Sequence, residues 1–501
     1  MDMFLNAIVT VFEPLNIAIL LASTAVGIVI GAIPGLTVTM AIALAVPLTI
    51  TMPLTPSLLM LLGLYGAGIY GGSISAVLIN TPGTPASAAT SIDGYELAKQ
   101  GKALKALKMA LIASFYGGLF SIVLLIVIAP QLAAFALKFG PAEICSLLVF
   151  ALTIVAVLSG DTIIKGLLAA AIGMLLATVG ADPMLSVPRF TFGVYDLYDG
   201  LAYIPLLIGL FAIAEMLAQA EDSFTTGAKL IDIKDIDKDA NRLTRDDWRR
   251  SFGPMIRSGF LGSFVGMLPG LGAAIATFLG YAEAKRASKE PERFGRGAIE
   301  GVAASESANN AVTGSAMIPM LALAIPGDPP TAILLGALLI QGVTTGPLIF
   351  INHPDVVYTV YVALFASLVF MGIVGWLALK PIVQVLKVPK VLLYPVILAM
   401  CAAGSYAIRN SIFDVFVMVG AGLLGYVLRL FGVPAAPLLI AFILCPPLEE
   451  SMRQALIKSQ GSLMTFLTHP ISAFFLLLAL IAVIFTVRRQ IKSHQALPAN
   501  I

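Results

Sequence analysis

Charge is what this sequence has least of. Only 12% of its 501 residues are Asp, Glu, Lys or Arg, against about 25% in soluble domains. A water-soluble chain of this length needs a charged skin, and a composition that is 59% hydrophobic leaves none. Cysteine is scarce as well. Cys145, Cys401 and Cys445 sit far apart in apolar surroundings, which excludes a disulfide framework and predicts buried free thiols. His353, His469 and His494 show no ligand spacing, so no metal site is expected. A net charge of +2 gives no footprint for nucleic acid. Met1-Asp2-Met3-Phe4 lacks the basic opening of a signal peptide, so the first apolar run is expected to be retained. No P-loop, zinc pair or nucleophile elbow is present. Gly66-x-Gly68-x-x-Gly71 lies inside an apolar run rather than after a strand, which excludes a dinucleotide site and points to close helix packing. ATP-driven transport and intramembrane catalysis therefore have no chemical basis, and the protein is expected not to be an enzyme.

What the sequence has is apolar length. Runs near 15–33, 57–79, 110–129, 143–158, 163–180, 200–218, 254–280, 357–379, 411–431 and 471–487 are continuous rather than alternating, and most can cross a bilayer as a helix. Continuity excludes a β-barrel. The expected class is an all-α polytopic membrane protein with about 11 to 13 membrane elements, its partner on every side the lipid bilayer.

The few charges are concentrated. Residues 221–250 carry seven Lys/Arg and eight Asp/Glu, with Thr244-Arg245-Asp246-Asp247-Trp248 reading as a capped surface helix. Residues 283–297 carry Lys285, Arg286, Lys289, Arg293 and Arg296. Residues 93–108 carry four lysines beside Leu104, Leu107 and Leu111, which predicts a helix lying on the membrane surface. Arg189 and Lys165 read as loop residues, and Arg257, Arg409 and Arg429 stand near segment ends, where they can snorkel.

The chain also repeats itself. GIVIGAIPGL at 27–36 matches GSFVGMLPGL at 262–271, and Pro82-Gly83-x-Pro85 matches Pro326-Gly327-x-Pro329. LKFG at 137–140 faces LKVP at 386–389 in the same order. Corresponding loops differ in basic charge: 48–56 has none where 283–297 has five, and 93–108 has four where 337–352 has none. Basic loops stay cytoplasmic, so equivalent loops are expected on opposite sides. The expectation is two inverted-topology repeats with broken helices or re-entrant hairpins. The division reads as a first transmembrane repeat at 1–220, a charged cytoplasmic linker at 221–253, a second repeat at 254–450, and a C-terminal helix with a basic cytoplasmic tail at 451–501.

Backbone breaks within hydrocarbon survive only where they are buried in protein or line a cavity. Pro34, Gly35, Pro82, Pro85, Pro269, Gly270, Pro326 and Pro329 mark them as helix-breaking and packing positions. Around them, Asn80, Thr81, Gly83, Thr84, Asn309, Asn310, Thr313 and Gly327 are the candidate substrate-binding residues, because orphan N–H groups at a helix start attract anions. Asp328 and Glu306, carboxylates inside apolar segments, suit a coupling Na⁺ or H⁺ better than an anion; as alternatives, Asp328 caps a turn and the small hydroxyls serve packing.

The Pro-Gly-Leu segments, residues 63–107 and residues 300–338 resemble the large membrane subunit of tripartite tricarboxylate transporters, the TctA-like family, over nearly the whole chain. The resemblance implies a multi-pass importer of the bacterial inner membrane, driven by an ion gradient and without other cofactors. It implies a small membrane subunit of about four helices, a periplasmic solute-binding protein, and carboxylates such as citrate as substrate. A stand-alone secondary transporter is the alternative; a channel is disfavoured by two inverted halves, since no filter or charge ring repeats around a pore.

Overall fold

The computed structural model describes residues 2–158, 163–222, 239–379, 381–385 and 390–495. Backbone polar groups in an apolar segment find partners only within the segment, and the chain is accordingly almost all helix. In order these are α1 (Asp2–Val11), α2 (Pro14–Ala32), α3 (Val38–Thr49), α4 (Leu54–Ile79), α5 (Ala88–Lys99), α6 (Ala103–Ala136), α7 (Pro141–Leu158) and α8 (Ile163–Ala177). After a two-residue ladder of Gly180–Ala181 with Pro188–Arg189 come α9 (Tyr203–Ile208), a π turn, and α10 (Ala214–Asp222). The second half has α11 (Arg245–Gly266), α12 (Gly272–Ala287), α13 (Ile299–Leu323), α14 (Pro329–Ile340), α15 (Ile349–Asn352) and α16 (Pro354–Ala378). It continues with α17 (Ile382–Val385), α18 (Lys390–Arg409), α19 (Ile412–Leu430), α20 (Ala435–Lys458), α21 (Thr465–Thr468) and α22 (Pro470–Gln495). Among the described residues, 8 helices are long and apolar enough to cross a membrane, and further apolar helices are shorter. The protein is an all-α polytopic membrane protein.

Two helices form the centre. Every residue of α13 from Ile299 to Ala322 is buried, although the helix carries Ser305, Glu306, Ser307, Asn309, Asn310, Thr313 and Ser315. It packs chiefly on α6 and α11, and α4 packs chiefly on α2. Small residues permit the close approach. A methyl on Gly27 would stand 2.9 Å from the Leu64 oxygen, and one on Gly262 would stand 2.7 Å from Ala308 Cα.

The Pro-Gly-Leu segments form the tips of helical hairpins. Helix α2 runs parallel to α4, with Ser23 Oγ donating to the Leu59 carbonyl at 3.4 Å and Gly31 against Gly68. At Gly35, φ +89, the chain turns. Helix α3 then returns along α4 from Val38, beside Gly68, to Thr49, whose carbonyl accepts from Ser57 Oγ at 3.0 Å. Both ends of the hairpin thus lie toward the start of α4. The second hairpin is built alike. Helix α11 climbs beside α13, with Ser307 Oγ donating to the Met255 carbonyl at 2.7 Å. The chain turns at Gly270, φ +81. Helix α12 then descends until the Gly280 carbonyl accepts from Ser258 Oγ at 3.2 Å. The run read as one element at 254–280 is therefore two helices.

Helices α4 and α13 run antiparallel. Tyr65 of α4 bonds Asp328, just past the C-terminal end of α13, whereas Ser73, two turns further along α4, approaches Glu306 near the start of α13. The basic stretches gather at one end of the bundle. Lys105 pairs with Asp247 at 2.8 Å, and Gln100 Nε2 donates to the Arg296 carbonyl at 2.9 Å. Asp93 Oδ1 accepts the N–H groups of Gly295, Gly297 and Ala298 at 2.8, 2.9 and 2.9 Å.

Three expectations need correction. The single element at 254–280 is one, as above. Residues 93–108 do not form one surface helix: the chain turns at Gly101, φ +75, and Leu104, Leu107 and Leu111 are buried in the 34-residue α6. The lysine spacing is helical, but a glycine in the left-handed region ends one helix before the next begins. Lys165 lies in α8 and Arg189 in the two-residue ladder, rather than in loops. Thr244 does cap α11, in a reciprocal pair with Asp247, and the three cysteines are free and buried, as expected. Linker residues 223–238, and LKVP at 386–389, fall outside the described residues.

Candidate functional site

The two Pro-Gly-x-Pro segments share one backbone solution. Helix α4 ends on Asn80 in the left-handed region, φ 54 ψ 26, and α13 ends on Ala324, φ 57 ψ 27. From there the chain doubles back along the helix it has just left. Gly83 N–H donates to the Gly72 carbonyl at 3.3 Å, and the Gly327 carbonyl accepts from Gly270 N–H at 2.9 Å. A reversed helix start follows in each case. Thr84 and Ser87 cap the first reciprocally, Asp328 and Thr331 the second. The equivalent pairs 80/324, 83/327, 84/328 and 87/331 keep a constant spacing along the chain.

The glycines of these breaks are required by space, not by torsion. A methyl on Gly83 would collide with the Gly31 carbonyl oxygen and stand 3.0 Å from Gly72 Cα. A methyl on Gly327 would stand 2.8 Å from both the Gly266 oxygen and Ala316 Cα. Gly31 and Gly266 occupy the same place in the two Pro-Gly-Leu motifs. In each half, then, a hairpin tip from one end of the bundle meets a broken helix from the other end, backbone to backbone.

All four tips face one cavity of about 770 Å³. Thr37, Val38 and Thr39 line it from the first hairpin, and Thr84, Pro85 and Ala86 from the first break. Gly270, Leu271, Gly272 and Ala273 line it from the second hairpin, and Asp328, Pro329 and Pro330 from the second break. Helices α3, α12 and α14 all start at its wall. Each helix start carries roughly half a positive charge. Thr37 Oγ1 satisfies the Met40 N–H at 3.2 Å, and Asp328 caps α14, but no side chain caps α12. The cavity wall also holds an ion pair, Arg429 Nη1 to Glu215 Oε2 at 2.6 Å.

Asp328 is fully engaged. Oδ2 accepts from Tyr65 OH at 2.8 Å, and Oδ1 accepts from Thr331 N and Oγ1 at 2.9 and 2.7 Å. Of the other candidate residues, Thr84, Pro85, Gly270 and Pro329 also line the cavity. Gly83, Gly327, Pro269 and Pro326 are buried in the tip contacts, and Pro34, Gly35 and Pro82 are half-buried there. Asn80 and Thr81 are exposed at the outer end of the first break. Asn309, Asn310, Thr313 and Glu306 are buried in α13, away from the cavity wall. Sequence reasoning passed over Glu215, Thr37, Thr39 and Tyr65, and set Arg429 aside as a snorkelling residue. The adjacency of Tyr65 and Asp328, 263 residues apart, leaves no local signal. Arg429 reads as a segment-end cation because its partner lies 214 residues away.

A multi-pass helical protein whose hairpin tips and broken helices converge on one cavity fits the architecture of a membrane transporter. The tripartite tricarboxylate transporter TctA family matches residues 17–440, and the chain belongs to that family. It is therefore a membrane component of a transporter that has further subunits. A chain of Agrobacterium vitis, described as an uncharacterized 52.8 kDa protein in the TAR-I ttuC' 3' region, is 38% identical over 486 residues, covering 97% of this chain and 96% of its own length. A second Agrobacterium vitis protein, described as uncharacterized in the TAR-II ttuC' 3' region, is 40% identical over 234 residues, 47% of this chain and 97% of its own.

Proposed function

We propose that this chain is the permease subunit of a binding-protein-dependent secondary importer of carboxylates, with tricarboxylates such as citrate as the favoured substrate. It works in the bacterial inner membrane with a small membrane subunit of about four helices and a periplasmic solute-binding protein. The observation that carries this reading is the cavity where the four tips meet. The start of α12, which no side chain caps, and the start of α3 lend the wall positive potential, which suits an anion. The antiparallel course of α4 and α13, and the matched breaks, support two inverted repeats and alternating access around that cavity.

Ion coupling follows from charge. Each elementary charge moved against 100 mV requires about 2.3 kcal/mol, so a trivalent anion entering a negative interior opposes roughly three times that. Cotransported Na⁺ or H⁺ offsets it, and Asp328, at the cavity wall, is a candidate to sense the cation. The test is uptake of labelled citrate into vesicles holding this chain and the small subunit. Uptake is expected only with the binding protein and a cation gradient both present. Full uptake without the binding protein would favour a stand-alone transporter, and uptake indifferent to any cation gradient would refute the coupling.

A further inference from the structure

Away from the cavity, α13 places a carboxylate where the interior offers it no counter-charge. Glu306 is 0% exposed. Thr90 Oγ1 donates to its Oε1, and Ser114 Oγ donates to Oε2 at 3.1 Å. Ser73 and Asn309 approach the same carboxylate, and Tyr70 lies one turn before Ser73 on α4. No ion pair among the described residues includes Glu306. An ionised carboxylate in such a place is among the most unfavourable arrangements a fold can hold.

A second observation concerns the groups around it. Asn309 Oδ1 and Nδ2, Ser73 Oγ and Tyr70 OH make no hydrogen bond of good geometry, although Ser73 and Asn309 stand close to the Glu306 carboxylate, and all three residues are 0% exposed. Buried polar atoms are normally paired. Here oxygens without good hydrogen bonds lie near one carboxylate that has no counter-charge.

We propose that Glu306, Asn309, Ser73, Thr90 and Ser114 form a binding site for one dehydrated monovalent cation of the sodium class. The donors are all hard oxygens, which suit alkali cations and not thiolate- or imidazole-loving metals. One carboxylate matches one positive charge, not two. A proton fits less well: it would satisfy a single acceptor and leave the amide and the remaining hydroxyls idle. The inference deepens the carboxylate-import reading, on which its role in coupling rests. Thr90 belongs to α5, which follows the first break, and Glu306 and Asn309 belong to α13, which precedes the second. A cation held between them fixes one break relative to the other.

The test is thermal unfolding of the purified full chain in choline chloride with increasing sodium chloride at constant ionic strength, without carboxylate. A ligand that binds only the folded state raises the midpoint in step with its concentration. Sodium is expected to raise the midpoint saturably, with lithium weaker and choline inert, and Glu306→Gln is expected to abolish the rise. Should Glu306→Gln fail to fold, Ser114→Ala is expected to move the sodium titration to about tenfold higher concentration. The proposal is overturned by a wild-type midpoint indifferent to sodium, including one that responds to pH alone. It is equally overturned by a rise that survives Glu306→Gln, or by a Ser114→Ala titration unchanged from wild type. Because no substrate or partner is present, a failure here is separable from a failure of carboxylate transport.

Discussion

Gly327→Ala puts the tip-to-tip contact under direct load. The added methyl would stand 2.8 Å from Ala316 Cα, Ala316 Cβ and the Gly266 oxygen. Ordinary carbon contacts lie near 3.5–4.0 Å, so relief requires the broken helix and α11 to separate by several tenths of an ångström. Two of the three obstacles are backbone atoms, which rotamer changes cannot move. Overpacking of this kind costs about 1–3 kcal/mol, or a factor of about 5–150 in the population of the native tip geometry. Gly83→Ala meets the same obstacle in the first half, against Gly31 and Gly72. A methyl on Gly420 in α19 would meet nothing within 4 Å, so Gly420→Ala is the matched control. Initial rates of labelled citrate uptake at subsaturating substrate are expected to fall by roughly that factor in the first two variants, with wild-type amounts of monodisperse protein, and to be unchanged in the third. Wild-type rates in both Gly83→Ala and Gly327→Ala would refute the claim that the tips set the site.

Three further outcomes are expected. Arg429→Gln should raise the apparent KM for carboxylates more than Arg409→Gln does, because Arg429 faces the cavity while Arg409 is bound to the buried Asp414; equal effects would place Arg429 outside the site. For Asp247, burial opposes ionisation, but Lys105 and the Thr244 N–H and hydroxyl outweigh it and hold the carboxyl below its ordinary value. The pair's stabilisation is thus full above the ordinary carboxylate range and lost as pH falls through the folded value; the stability gap between wild type and Lys105→Met, measured by denaturant titration, should be open at neutral pH and close in acid. Cysteines introduced at residues 52 and 289 should label from opposite faces of the membrane, and labelling from the same face would sink the inverted arrangement.

The sequence announces what depends on backbone geometry. Pro-Gly-Leu and Pro-Gly-x-Pro recur because reversal and close approach demand those residues, and the breaks appear where the motifs place them. It could not choose between a broken crossing and a hairpin for residues 27–50. Helix lengths permit both, and only the descent of α3 along α4 decides. It also could not equate Asn80 with Ala324, which share a left-handed conformation but no side-chain chemistry. Ion pairs such as Arg429–Glu215 join distant segments and leave no periodic trace. At 93–108 a helical spacing of leucines and lysines concealed the turn at Gly101.

The central claim, that a carboxylate is bound where the four tips meet, is tested most directly by substrate protection of single introduced cysteines. Thr39→Cys at the start of α3 and Ala273→Cys in the first turn of α12 both line the cavity, and the native cysteines are buried. In membranes holding the assembled transporter, citrate should slow modification of both positions by a thiol reagent, while Leu463→Cys, at an exposed position, reacts at an unchanged rate. Modification of the Thr39→Cys and Ala273→Cys variants at the same rate with and without saturating substrate, under conditions where uptake proceeds, would contradict the account.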